Sequence, residues 1–445
     1  MGKILIENAR IINDSCDFLG YILIEEETIA EIKEGKYTGE LPEKIIDATD
    51  KIVIPGIIDD QVHFREPGLT YKADIHSESI AAVAGGVTSF MEMPNTNPQT
   101  TSIDLLNQKF DLAAEKSVAN YSFYLGATND NLEEIKKIDP QRVCGLKLFM
   151  GSSTGNMLVD DEKSLAAIFS ESPVLVAAHC EEESIIKKNL EYYKGLYGNK
   201  IEPYMHPIIR SAEACYVCSA RAVKLADKYG ANLHILHVST EREMGLFERK
   251  PLKEKKITSE VCVHHLWFND KDYKRLGNFI KWNPAIKSEI DRSALIRGIE
   301  TDAIDIIATD HAPHTLEEKK QPYLKAPSGG PLIQHSLNIM LELYKKGEVS
   351  LHKIVEKMCH APAVRYSVNK RGFLREGYYA DITIIDPSIR WEVKTENILY
   401  KCKWSPFEDT DFTPAVTHTI INGAVIYENG KVNTEYRGKE LRFDR

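Results

Sequence analysis

From residue 55 to residue 312 the chain repeats one unit, a short apolar run of strand character followed by a stretch with helical spacing. Eight such runs stand at 57–64, 88–94, 121–128, 145–151, 174–180, 233–239, 257–266 and 303–312. Helix-like segments fall between them at 75–84, 103–116, 165–171, 211–229 and 294–300. Strands joined by helices run parallel, and eight βα units over about 260 residues match a closed barrel in number and size. The expected fold class is therefore α/β, with a (β/α)8 TIM-like barrel occupying 55–370. Two further helices are expected at 334–346 and 351–361.

The flanks read differently. Residues 3–54 alternate apolar and polar positions between turn residues, and the tail from Gly372 returns to strands at 381–385, 391–393, 415–421 and 424–428. Asn422-Gly423 has the composition of a tight hairpin turn. A β-unit split between both ends is expected to pair with itself. That makes a small β-sandwich domain from 1–54 and 371–445, with the barrel inserted between its halves.

Composition removes several classes of function. The chain of 445 residues is 43% hydrophobic and 27% charged, as in a globular protein, and its net charge of -10 disfavours nucleic acid or anionic membrane as partner. No apolar run reaches membrane-spanning length. The opening residues pass directly into a strand pattern without the architecture of a signal peptide. Eight scattered cysteines, most of them in apolar runs, suggest reduced thiols and a cytoplasmic location. Only Cys215-Tyr216-Val217-Cys218 has metal or redox spacing, and without a second such pair it reads as part of a helix.

A barrel enzyme works at the C-terminal ends of its strands, and here those ends are polar. The first carries His63 and Arg65, within a stretch where Asp59, Gln61, His63 and Arg65 share a face. The second ends at Asn95. The fourth holds Lys147 in an otherwise apolar run. The fifth, sixth and seventh end at His179, at His237 and at His264-His265, and the eighth at Asp310 and His314. One such histidine reads as a satisfied core residue. Six or more polar ends at one level read as a shared metal site, and imidazoles with a carboxylate suit Zn²⁺ or a similar divalent ion. Lys147 costs heavily as a buried ammonium. As a carbamate it becomes an anion able to bridge two cations, the alternative being a lysine that snorkels out of the barrel.

These residues carry a resemblance. PGIIDDQVHFREPG, MEMPNTNP, GLKLFMGSSTGN, AAHCEE, LHILHVST, EVCVHHL, KWNPAIK, ATDHAPHT and APSGG, spread over nearly the whole chain, resemble the amidohydrolase superfamily and within it the dihydroorotases of the long bacterial type. The resemblance implies reversible cyclisation of N-carbamoyl-L-aspartate to L-dihydroorotate, a step of pyrimidine biosynthesis. It implies one or two Zn²⁺ per chain, held by His63 with Asp310 and by His179 with His237, bridged by carbamylated Lys147. Asp310 is the implied proton shuttle. Arg65, Asn95, Asn283 and His314, with Ser328 and Gly329, are the implied substrate contacts. Arg65 separates this substrate from relatives, because a guanidinium fork matches a ring carboxylate that hydantoins and dihydropyrimidines lack. A small molecule is the expected partner, with a homodimer left open.

The chain departs from the pattern at one place: Gln61 holds the first position of the His-x-His metal motif. Two other readings stand beside this one, the second of them resting on Gln61. One is a related cyclic amidohydrolase such as a dihydropyrimidinase, hydantoinase or allantoinase. The other is an inactive dihydroorotase-like partner protein.

Overall fold

The computed structural model describes residues 2–151 and 157–445. Residues 152–156, within the GLKLFMGSSTGN stretch, fall outside them.

The chain opens with a hairpin, Lys3–Asn13 against Cys16–Glu25, whose two turn residues Asp14 and Ser15 have φ of 50° and 66°. Ile52–Pro55 pairs in parallel with Lys3–Asn13 on one side and antiparallel with Ile382–Asp386 on the other. Val53 stands opposite Ile384, so both chain ends meet in one sheet. Ala415–Ile421, Ala424–Glu428 and Lys431–Val432 extend it, with Asn422 and Gly423 in the hairpin turn at φ of 48° and 75°. Apolar side chains from both ends (Ile6, Ile11, Ile22, Ile24, Ile382 and Ile384 among them) pack into their own core. The predicted strand at 391–393 behaves differently. Trp391–Glu392 pairs only with Asp411–Phe412, and Pro414 next to that ribbon accepts hydrogen bonds from Trp391 and from Asn338 on the helix Ser336–Lys345.

The strand Ile52–Pro55 continues through Gly56 into the first barrel strand, Ile57–Val62. Gly56 allows this crossing, since a Cβ there would lie 2.2 Å from Thr88 Oγ1. Seven parallel strands follow: Val87–Glu92, Asn120–Gly126, Gly145–Phe149, Val176–His179, Leu233–Ile235, Ile257–Cys262 and Ile306–Ala308. A bridge from Val62 to His311, with His63 N donating to His311 O at 2.7 Å, closes the ring. This is a TIM barrel carrying a β-sandwich domain built from the chain ends.

Helices start where side chains can cap them. Asp74 and Ser77 form a reciprocal capping box at Ile75–Ala84, and Ser288 and Asp291 do the same at Glu289–Glu300. The seventh strand is shorter than its apolar run suggested. It stops at Cys262, and Val263–Trp267 turns into a helix that stacks His264 on Trp282, ring centroids 4.4 Å apart. Strand propensity was overridden there by the aromatic contact over the barrel mouth. At the opposite end the C-terminal residues close the barrel: Tyr121 N donates to Lys439 O, Leu441 N to Tyr121 O, and Leu441 and Phe443 pack near Tyr124, Cys144 and Tyr366.

Barrel and sheet are held together by buried polar groups. Arg371 pairs with Asp381, each side chain 3% exposed, while Asp381 also accepts from Asn422 N and Asn120 Nδ2. Truncating one partner of such a pair strands a buried charge. Arg371→Leu should lower unfolding free energy by about 3–5 kcal/mol, read as a lower denaturant midpoint with the slope retained.

Candidate active site

The strand ends open onto a pocket of about 310 Å³ lined by Gln61, His63, Arg65, Asn95, Lys147, Phe149, His179, His237, Trp282, Asn283, Asp310, Ala312, His314, Pro327, Ser328 and Gly329. Every residue proposed from the sequence as ligand, shuttle or substrate contact lines this one cavity. A larger cavity lies at 173–176 and 252–256 and contains none of them.

Strict alternation along the first strand does not hold. A register shift between Asp59 and Val62 lets Gln61 face the pocket while Asp59 turns to the eighth strand. There Asp59 accepts from Thr309 Oγ1 at 2.6 Å and from the backbone N–H groups of Gln61 and Thr309 at 3.3 Å. Asp59 therefore fixes the two strand ends that present Gln61 and Asp310. Three residues in the pocket adopt left-handed backbone, Arg65 at φ 66°, His237 at 39° and Asp310 at 47°. Each follows the end of a barrel strand, and a non-glycine residue in that region costs energy that the surrounding structure must supply.

Burial decides the protonation of the imidazoles. It pushes His63 and His237 well below the ordinary histidine range, with Arg65 and His179 respectively adding to the effect. His179 is also lowered by burial, against the pull of Glu181. Its Nδ1 lies 3.0 Å from His237 Nε2, and its Nε2 lies 3.2 Å from Glu181, which pairs with Arg210. His63 Nε2 lies 3.1 Å from Asp310 Oδ1. Desolvation lowers Lys147 to about 8 and raises Asp310 to about 7, each opposed by the other's charge. Imidazoles held below their usual pKa, a carboxylate and an amine gathered in one pocket are a donor set that suits a divalent cation. His237 Nδ1 is buried without a hydrogen-bond partner among the described residues. The residues fit a metal centre.

Gln61 takes a part of its own. Its Nε2 donates to Asp310 Oδ1 at 3.2 Å, while Oε1 faces Cys262 Sγ at 3.8 Å. The amide thus meets the carboxylate as a donor.

At the rim, Lys72 Nζ donates to His314 Nδ1 at 2.9 Å, which leaves the imidazole proton on Nε2 to donate to Ser328 O at 3.0 Å. Arg65 Nε donates to Pro313 O, and its Nη2 lies 3.2 Å from His314. Burial lowers the Arg65 pKa while Asp310 and Glu92 oppose the loss of charge. Glu92, paired with Lys109, also accepts from Phe64 N at 3.0 Å and steadies the turn before Arg65.

Some supporting groups carried no sequence signal for this place. Glu181 reads as a helix start but sits on His179. His206, to which the sequence assigned no role, bonds Tyr323 at 2.8 Å and Trp282 O at 2.6 Å, holding the loop that carries Asn283. His265 bonds Pro284 O at 3.1 Å on the same loop. Cys215 and Cys218 are buried free thiols on the helix Ala212–Tyr229.

A family model described as "Amidohydrolase family" matches residues 52–426. The chain belongs to the amidohydrolase family. Among curated relatives of this amidohydrolase, a dihydroorotase of Methanothermobacter thermautotrophicus is 31% identical, covering 97% of this chain and 96% of its own. A dihydroorotase of Methanosarcina mazei is 32% identical over 99% of this chain and 98% of its own. Among solved structures, L-hydantoinase (dihydropyrimidinase) from Arthrobacter aurescens superposes with a TM-score of 0.92 at 28% identity, over 97% of each chain.

Asp59→Ala leaves the Thr309 hydroxyl and two amides without their acceptor. Unfolding free energy should fall by about 1–3 kcal/mol, measured by denaturant titration against wild type.

Proposed function

We propose that this amidohydrolase is a dihydroorotase, a metal-dependent enzyme that interconverts N-carbamoyl-L-aspartate and L-dihydroorotate. The observation that carries the reading is Arg65: a buried guanidinium in the same 310 Å³ pocket as Lys147, Asp310 and four imidazoles. Full-length relatives named dihydroorotase support it. Hydantoins and dihydropyrimidines have the cyclic amide of dihydroorotate but no carboxylate for Arg65 to meet.

In this reading His63 with Asp310 and His179 with His237 would hold one Zn²⁺ each, and Lys147, as a carbamate, would add an anionic ligand. Such ions make water acidic enough to attack an amide carbonyl at neutral pH. The remaining work belongs to side chains. Arg65, with Asn95 and His314, orients the substrate carboxylate, and Asn283 with the backbone of Ser328 and Gly329 closes over the ring. Gln61 Nε2 donates to Oδ1 of Asp310, which leaves Oδ2 for proton transfer. In ring opening Asp310 takes the proton of the attacking water and returns it to the leaving nitrogen; in ring closure it runs the reverse. His314 keeps its Nδ1 occupied by Lys72 and its Nε2–H on Ser328 O, so it holds the Ser328 carbonyl at the edge of the pocket. A cytoplasmic site of action accords with the reduced thiols, and among the described residues no helix is long and apolar enough to cross a membrane.

Ultraviolet monitoring of ring opening tests the assignment. Dihydroorotate should be consumed and dihydrouracil and hydantoin left untouched; turnover of those neutral rings at a similar rate would favour the hydantoinase reading. Arg65→Met should lose about 2–4 kcal/mol of transition-state binding, about 30- to 1000-fold in kcat/KM.

Metal content tests the ligand roles. Lys147→Ala should lose bound zinc and activity together, with partial recovery of both in short carboxylates. Gln61→His should retain more zinc after dialysis than wild type, since imidazole is the better ligand for that ion. Unchanged zinc in both variants would remove these assignments.

A further inference from the structure

Below the pocket, three ionisable side chains converge inside the barrel: Asp60 on the first strand, His234 on the sixth and Glu260 on the seventh, each 0% exposed. Their nearest ligand atoms all lie within 4.8 Å of one another. His234 Nε2 is 3.4 Å from Asp60 Oδ2 and 3.6 Å from Glu260 Oε2. Asp60 Oδ1, His234 Nε2 and Glu260 Oε2 are buried with no hydrogen-bond partner among the described residues. His234 Nε2 and Glu260 Oε2 face each other at 3.6 Å without a hydrogen bond, and Asp60 Oδ1 is unpaired on the carboxylate beside them; such buried groups are costly unless something sits between them.

The hydrogen bonds around the cluster prepare it for a cation. Thr258 Oγ1 donates to Leu233 O, so it accepts from His234 Nδ1 at 2.8 Å. The imidazole proton is thereby held on Nδ1 and the Nε2 lone pair is turned inward, the arrangement of a metal-binding histidine. Tyr366 OH donates to Asp60 Oδ2 at 2.9 Å, and Tyr124 OH lies 2.7 Å from Tyr366 OH, giving that carboxylate its own support. Glu260 Oε1 is taken by His237 N at 3.1 Å, which leaves Oε2 for the cluster.

An ion pair fits less well. A charge-assisted N–H···O bond closes to about 2.7–2.9 Å, and Nε2 sits midway between two oxygens instead of on either. Two ligands about 2.0–2.2 Å from a tetrahedral ion stand about 3.3–3.6 Å apart, which matches the spacing found. Asp60 and Glu260 as carboxylates would cancel the charge of a divalent ion bound with His234 Nε2 deprotonated.

We propose that Asp60, His234 and Glu260 bind a second-class, structural divalent cation of the zinc type, sealed in the barrel and separate from the catalytic pocket. It ties three strands together and, through Glu260, steadies the backbone of His237. The tail around Leu441 and Phe443 closes the barrel beneath this level, so the ion should exchange slowly.

Wild-type crystals of the full chain grown with zinc as the probe, with data collected at its absorption edge, should show an anomalous peak among Asp60, His234 and Glu260. The variant His179→Ala/Lys147→Ala, stripped of pocket ions, should keep one zinc per chain through chelator dialysis, and adding Asp60→Asn should remove it. A map with no peak at the cluster, or a stripped variant with no zinc, overturns the proposal. The map on wild-type protein decides even if the variants fail to fold, and it stands apart from whether the pocket turns over dihydroorotate.

Discussion

Exclusion of water from the strand ends is the constraint on which the pocket depends. Desolvation lowers the pKa of Lys147, an amine inside an apolar strand, to about 8, and the same force lowers those of His63, His179 and His237. Protonated imidazoles would repel a cation and a full ammonium would do so more strongly. The apolar barrel wall is therefore what makes these side chains available as ligands. Arg65 is the exception, buried yet held by the acidic groups Asp310, Glu92 and Glu318 around it.

That arrangement demands accuracy from the backbone, and the structure places strain at the positions concerned. Arg65, His237 and Asp310 all stand in left-handed conformation directly after strands. Each is held by a group outside the pocket: Glu92 accepts from Phe64 N, Glu260 from His237 N, and Asp59 from Thr309 N. Three buried carboxylates thus act as acceptors for the backbone just before or at the three strained turns. The barrel supplies rigidity to such turns because its strands are paired in one continuous sheet, with the Val62–His311 bridge joining its ends.

The chain-end sheet serves the same purpose from outside. Ile52–Pro55 is gripped between Lys3–Asn13 and Ile382–Asp386 before it becomes the first barrel strand. The strand that carries Gln61 and His63 therefore begins from a fixed anchor. Arg371, Asp381, Asn120 and Asn422 join that sheet to the barrel through a buried polar network, and the last residues seal the end away from the pocket.

Much of this was legible along the chain. Hydrophobic period and caps are local, so helices such as Ile75–Ala84 and Ile103–Lys116 stand at the positions their spacing implies. Barrel topology brings all strand ends to one rim, so His63, Lys147, His179, His237 and Asp310 could be placed together before any distance was known. Other features depended on partners far away in sequence. Asp60 turns inward because a register shift breaks the alternation, and its meaning comes from His234 and Glu260, some 170 and 200 residues on. Glu181 reads as a helix start and becomes a partner of His179 only beside Arg210. His264 reads as strand and is helical because Trp282 offers a ring to stack on. The sequence by itself determined the strand-helix order and the types of side chain at each strand end, since both follow from local periodicity. Which atoms those side chains face, and so which hydrogen bonds, charges and orphaned groups result, was decided by packing between segments that no local pattern connects.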